Sequence, residues 1–122
     1  MDSLELSKKA MNLLEDKKAT GIISIDVSKV TTLTDYFIIC SGTSDRHRKS
    51  LSDDMQDFME NENVDMLSKE GYRTADWILL DYGYVVINIF SDDAREKYKL
   101  ERLWSDGSLS DLRNINKSEE TE

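Results

Sequence analysis

The residues that most readily suggest chemistry lie in DYFIICSGTSDRH, residues 35–47. Here a predicted buried strand runs into Gly42-Thr43-Ser44, and a helix is predicted to begin directly afterwards. Free backbone N–H groups and the positive end of a helix dipole can bind a phosphate at such a turn. However, a P-loop also needs a Lys followed by Ser or Thr, and a dinucleotide-binding turn needs three spaced glycines. The sequence has neither pattern, so the turn is a weak indication of phosphate binding.

A turn of this kind also occurs in nucleotidyltransferases, where metal ions hold the nucleoside triphosphate. Those enzymes place closely spaced carboxylates on a following strand to bind the metal ions. The strands that follow this turn offer Asp81 and Asn88 instead. We therefore interpret the turn as structural, with Gly42 relieving backbone strain and Ser44 capping the helix. A small nucleotidyltransferase that uses the Gly42 turn is the alternative.

His47 and Cys40 are the single histidine and the single cysteine of the chain. A catalytic triad would combine His47 with a Ser or Cys nucleophile and an orienting acid. Ser44 and Asp45 occupy the same helix start as His47, so a solvated or capping histidine is the preferred interpretation. Cys40 is expected to pack as a small apolar residue. One His and one Cys supply no set of zinc ligands, and we predict neither a metal nor another cofactor.

The elements that must position these residues follow from the apolar pattern. In the first half of the chain, we predict a helix within residues 3–18 ended by Gly21, strands at 22–27 and 36–41, and a helix from Ser44 or Asp45 to about Asn61. In the second half, we predict a loop at 60–76, a hairpin at 77–90 and a helical region at 91–104. This order predicts an α/β fold with one small mixed sheet flanked by helices. Residues 1–104 would form a single domain, and residues 105–122 are expected to be a mobile tail.

The hairpin WILLDYGYVVINIF, with a tight turn at Tyr82-Gly83, has two chemically different faces. Strand alternation places Ile78, Leu80, Val85, Ile87 and Ile89 on one face, and Trp77, Leu79, Asp81, Tyr84, Val86 and Asn88 on the other. The first face is uniformly apolar and is predicted to be core. The second mixes aromatic and polar residues, which is typical of a partly open contact surface. An alternative is that Trp77 only covers the sheet edge.

The charge balance favours a basic partner. The 25 acidic and 16 basic residues give a formal net charge of −9. Free nucleic acid would be repelled, and the basic residues are dispersed, so we expect no direct nucleic-acid binding. No apolar stretch approaches the roughly 20 residues of a membrane span, and the opening MDSLELSKK lacks the apolar block of a secretory signal. A cytosolic location without membrane attachment is expected.

Three parts of the sequence resemble the ribosomal silencing factor family, also called Iojap-like. They are DYFIICSGTSDRH, ADWILLDYGYVVINIFSDDAREKYKLERLW and the opening helix with IDVS, and the similarity runs in order over residues 4–104. The resemblance implies a nucleotidyltransferase-like α/β fold without the catalytic carboxylates. It also implies binding to the large ribosomal subunit through its protein fourteen. Such binding would prevent the small subunit from joining when nutrients are scarce.

The resemblance further implies a partner-binding surface on the hairpin and the last helical segment. Its residues would be Trp77, Leu79, Asp81, Tyr82, Gly83, Tyr98, Leu100 and Glu101. Trp77 and Leu79 would supply apolar contact area, whereas Asp81 and Glu101 would meet Lys or Arg of the partner. Gly83 would allow the turn to approach the partner closely.

Some positions depart from the family pattern. The family more often has an acidic residue at Tyr84, a His at Asn88 and a Gly at Ser105. These departures concern the detailed contacts around the hairpin. In the absence of the ribosome, the partly apolar hairpin face is also expected to allow a homodimer.

Overall fold

The computed structural model describes residues 2–99. Its elements are α1 (Ser3–Asp16), β1 (Thr20–Asp26), β2 (Tyr36–Ser41), α2 (Asp45–Asn61), β3 (Ser68–Glu70), β4 (Trp77–Asp81), β5 (Val85–Phe90) and α3 (Asp92–Tyr98). Leu100, Glu101 and the predicted tail at 105–122 lie outside the described residues. Within the described range, no helix combines the length and apolar composition needed to cross a lipid bilayer.

The five strands form one mixed sheet in the order β1-β2-β5-β4-β3. β2 and β5 are parallel, whereas the pairs β1–β2, β5–β4 and β4–β3 are antiparallel. Because β2 and β5 run in the same direction, both end at the same edge of the sheet. The α/β fold with a small mixed sheet and flanking helices, predicted from the sequence, is therefore confirmed.

Two apolar clusters cover the two faces of the sheet. The first core joins α1 and α2 to the sheet and includes all five residues predicted for the apolar hairpin face. The second core contains Ile25, Val27, Ile39, Phe90 and Ala94, of which Ala94 belongs to α3. All six residues of β5 are buried, because this central strand is covered on both faces.

The two predicted serine caps are present. The Ser44 hydroxyl accepts a hydrogen bond from the His47 N–H at 3.0 Å, at the start of α2. The Ser91 hydroxyl accepts one from the Ala94 N–H at 3.0 Å, at the start of α3. Each bond satisfies an N–H group that has no partner within its helix, so each helix begins where the local sequence predicts.

Three predicted boundaries are wrong. α1 ends at Asp16, and Gly21 lies inside β1 rather than at the end of the helix. The predicted loop at 60–76 contains β3, whose three residues are too few for a recognisable alternation. α3 ends at Tyr98, where Lys99 adopts the left-handed conformation with φ 46°. The predicted helical region therefore does not continue unbroken through Lys99.

Candidate partner-binding surface

The outer surface of β4 carries three of the predicted contact residues. Trp77, Leu79 and Asp81 alternate along the strand, so they share one face, and all three are half-buried. The β3–β4 register places Glu70 opposite Leu79 and Ser68 opposite Asp81, so these β3 residues lie on the same face. We call this set of five residues, together with Tyr98, the β4 surface. Glu70 was missed by the sequence interpretation because β3 was not predicted.

Trp77 lies between two other aromatic rings. Its ring centroid is 4.9 Å from that of Phe90, the residue directly opposite in β5. It is 5.0 Å from the centroid of Tyr98, the last residue of α3. Both pairs are tilted, a geometry that contributes about 0.5–1.5 kcal/mol per pair beyond simple burial. Tyr98 is 48% exposed, so this aromatic group reaches the surface.

Asn88 lies beside the β4 surface, opposite Leu79 in the pairing of β4 with β5. The Trp77 Nε1–H donates a hydrogen bond to Asn88 Oδ1 at 3.0 Å, and Asn88 Nδ2 donates to the Ile38 carbonyl at 3.4 Å. Asn88 is 1% exposed and Val86 is also buried. The predicted open face therefore needs correction, since its β5 residues are covered in the middle of the sheet. The residues of this face that remain accessible are those of β4 and Tyr84 in the turn, and β3 extends the accessible area beside β4.

The hairpin turn spans residues 82–84 and places its two tyrosine side chains in different environments. Gly83 has φ +84°, a conformation that favours glycine, and its N–H donates to Asp81 Oδ1 at 2.8 Å. Tyr84 is exposed. The Tyr82 side chain is 5% exposed and belongs to the first core, where burial raises the pKa of its hydroxyl to about 12. This placement differs from the sequence-based assignment of Tyr82 to the contact surface.

The structure thus brings together four predicted residues, namely Trp77, Leu79, Asp81 and Tyr98. Gly83 lies in the turn that follows Asp81, and Tyr82 faces the core. Leu100 and Glu101, the remaining two, are outside the described residues. The resulting surface combines apolar and aromatic area with the carboxylates of Asp81 and Glu70.

Packing explains the glycine at position 42. Gly42 is not among the described glycines with positive φ, so the predicted relief of backbone strain is wrong. A Cβ atom at this position would lie 2.5 Å from Arg48 Cγ and 3.3 Å from Leu51 Cδ1. Gly42 is therefore required because the Arg48 side chain passes directly against the turn.

Arg48 is a buried charged residue that the sequence interpretation did not identify. It is 5% exposed. Its Nη1 donates to the Gly42 carbonyl at 2.8 Å and its Nε donates to the Ala75 carbonyl. Its Nη2 forms an ion pair with Asp45 Oδ1 at 2.6 Å. Arg48 thereby connects the Gly42 turn to the segment that leads into β4.

The contacts of His47 and the burial of Cys40 indicate structural roles for both residues. His47 Nδ1 lies 3.0 Å from the Thr43 backbone nitrogen, and His47 Nε2 lies 2.9 Å from the Lys17 carbonyl oxygen. A neutral ring protonated on Nε2 satisfies both contacts, because Nδ1 then accepts and Nε2 donates. Burial raises the pKa of the Cys40 thiol to about 12. The thiol is therefore neutral at physiological pH, in agreement with the predicted packing role.

An open cleft of about 580 Å³ lies beside the Gly42 turn. It is lined by Gly42, Thr43, Arg48, Asp76, Ser91, Asp92, Asp93, Ala94, Lys97 and Tyr98. The cleft lies at the carboxyl ends of β2 and β5, where open α/β sheets commonly bind ligands. Among residues 2–99, no three His, Cys, Asp or Glu side chains are grouped so that they could hold a metal ion.

Comparisons of the sequence and of the structure with known proteins agree on one family. A family model described as "Ribosomal silencing factor during starvation" matches residues 1–122. The ribosomal silencing factor RsfS of Bacillus subtilis is 34% identical over 112 residues, covering 92% of this chain and 95% of the relative. The Haemophilus influenzae RsfS is 38% identical over 95 residues, covering 78% and 93% respectively.

A mouse protein named mitochondrial assembly of ribosomal large subunit protein 1 is 34% identical over 104 residues, covering 83% of this chain and 46% of the relative. Among solved structures, a protein from Chromobacterium violaceum superimposes with a TM-score of 0.83 at 36% identity, covering 86% of this chain and 88% of that chain. The chain therefore belongs to the ribosomal silencing factor family.

Proposed function

We propose that this protein is a noncatalytic regulator that binds the large ribosomal subunit through its protein fourteen. Bound there, it prevents the small subunit from joining and so represses translation when nutrients are scarce. Membership of the silencing factor family supports this role, and the name of the mouse relative supports an association with a large subunit. The identity of the ribosomal protein and the block to joining rest on the family resemblance. A cytoplasmic location follows from the proposed partner.

The observation that carries the proposal is the β4 surface. Leu79 and the Trp77 and Tyr98 rings provide apolar area that is only partly covered by the fold. Aromatic side chains of this kind dominate the binding energy of many interfaces. The carboxylates of Asp81 and Glu70 lie on the same face and can meet the basic side chains of a ribosomal protein. We propose that this face also pairs two copies of the free protein.

Ribosomal subunit joining tests the proposed function directly. Separated subunits are mixed with increasing amounts of this protein and then sedimented through a sucrose gradient. We expect the protein to sediment with the large subunit and the fraction of joined particles to fall. Normal joining at saturating protein would contradict the proposal. The alternative, a nucleotidyltransferase acting in the cleft beside Gly42, would instead consume a nucleoside triphosphate without affecting joining.

A charge-reversal variant tests the location of the surface. Glu70→Lys should weaken binding to the isolated protein fourteen about three- to tenfold, mainly by slowing association, because a carboxylate that attracts a basic partner becomes a cation. The matched control is Glu60→Lys, which makes the same change at an exposed position of α2, the helix packed on the opposite face of the sheet. Surface plasmon resonance at low and high salt measures both variants. Equal effects of the two substitutions would show that only net charge matters.

A further inference from the structure

Asn88 is a polar residue in the middle of the central strand, and its amide orientation is set by the neighbouring strand. A buried amide is costly unless its polar atoms are hydrogen-bonded. Here Nδ2 donates to the Ile38 carbonyl of β2 at 3.4 Å. Because Nδ2 is directed at that carbonyl, the acceptor Oδ1 is directed at the Trp77 Nε1–H, which lies 3.0 Å away. Asn88 therefore presents a fixed acceptor to the indole.

The indole needs such an acceptor to have a single orientation. The Trp77 ring contacts the rings of Phe90 and Tyr98 in tilted geometry, with centroids 4.9 and 5.0 Å away. These contacts fix the plane of the ring but not which of its edges carries the N–H, and the χ2 angle of an aromatic side chain has broad, roughly two-fold preferences. A rotation about χ2 could keep much of the ring contact while moving the N–H away from the sheet. The hydrogen bond to Asn88 selects the orientation in which the N–H points inward.

We propose that Asn88 is a positioning residue for partner binding, which holds the Trp77 indole with its N–H toward the sheet and its apolar ring toward the partner. The inference rests on the proposed function, in which the β4 surface binds the large-subunit protein fourteen. Asn88 is buried and acts through Trp77 rather than by touching the partner. Tryptophan has one hydrogen-bond donor, and Asn88 occupies it. The partner therefore meets Trp77 as an apolar ring and supplies no acceptor for it.

Two substitutions test the hydrogen-bond acceptor of Asn88 separately from the volume of its side chain. Asn88→Leu removes the acceptor and keeps a similar size. Asn88→His restores one, because Nδ1 of a neutral imidazole is as many bonds from Cα as Asn Oδ1. The control is Val86→Ala, two residues earlier on the same face of β5, which removes buried contacts but no bond to Trp77. All variants carry Trp104→Phe, so that Trp77 is the single remaining tryptophan of the two in the chain.

Two measurements are made on the full-length chain. The first is the indole N–H signal of Trp77 in a ¹H–¹⁵N spectrum, together with its rate of hydrogen exchange. The second is affinity for the isolated protein fourteen. We expect Asn88→Leu to shift the signal, speed its exchange and weaken binding about tenfold. Asn88→His should recover most of the affinity at a pH where imidazole is neutral, and Val86→Ala should leave both the signal and the affinity unchanged.

The outcomes distinguish this inference from the proposed function. A displaced indole signal with wild-type affinity in Asn88→Leu would overturn the positioning role while leaving the proposed function intact. An affinity loss without any change in the indole signal would also overturn it. If the wild-type protein itself does not bind protein fourteen, both the positioning role of Asn88 and the proposed function are contradicted. Should Asn88→Leu not fold, Asn88→Ala removes the acceptor without adding volume, and it is compared with Val86→Ala in the same way.

Discussion

Replacing Trp77 with alanine should reduce affinity for the isolated large-subunit protein fourteen by about thirtyfold or more, the loss typical of an interface tryptophan. The same change removes the ring contacts with Phe90 and Tyr98 and leaves Asn88 Oδ1 without its donor. We therefore also expect the free energy of unfolding to fall by about 2–3 kcal/mol. Calorimetric titration measures the affinity, and urea unfolding followed by circular dichroism measures the stability.

A matched control separates binding from folding in this experiment. Phe58 is a half-buried aromatic residue of α2 that packs against the first core, on the opposite face of the sheet. Phe58→Ala should lower stability by a similar amount but change the affinity less than twofold. A folded Trp77→Ala protein that binds as tightly as the wild type would remove Trp77 from the partner-binding surface. A protein that fails to fold would assign Trp77 to the core, and Trp77→Phe would then report the binding role.

The second large effect concerns stability and centres on Arg48. Arg48→Met should lower the free energy of unfolding by about 3 kcal/mol, because removing a buried hydrogen-bonded charge leaves its partners unsatisfied. The partners left unsatisfied are the buried carbonyl contacts of Gly42 and Ala75. The Asp45 carboxylate, whose side chain is 70% exposed, remains solvated without Arg48. Arg48→Lys should recover part of the loss, since an ammonium group cannot reach all three partners at once.

Arg46 provides the control for Arg48. It lies two residues earlier in α2 and is exposed, so Arg46→Met makes the same chemical change without burial. That variant should change the free energy of unfolding by less than about 0.5 kcal/mol. Neither change should alter partner affinity at temperatures where the protein is folded, since neither residue lies on the β4 surface. An Arg48→Met protein as stable as the wild type would show that the buried guanidinium contributes no net stability.

The sequence alone was sufficient for features set by neighbouring residues. Alternation along the hairpin correctly separated the apolar face, with Ile78 and Ile87, from the face that carries Trp77. Ser44 and Ser91 were identified as caps because each bond reaches only three residues along the chain. Local patterns of this kind depend on backbone geometry within one element, so they can be read before the tertiary fold is known.

Only the tertiary structure decided which of these features lie together. The indole of Trp77 bonds to a residue 11 positions away, and that residue bonds to a carbonyl 50 positions away. Glu70 joined the β4 surface through strand pairing, and the buried Arg48 bonds to the carbonyl of Ala75, 27 positions along the chain. Such contacts depend on strand order and register, which bring distant parts of the chain together, and no periodicity within one segment encodes them.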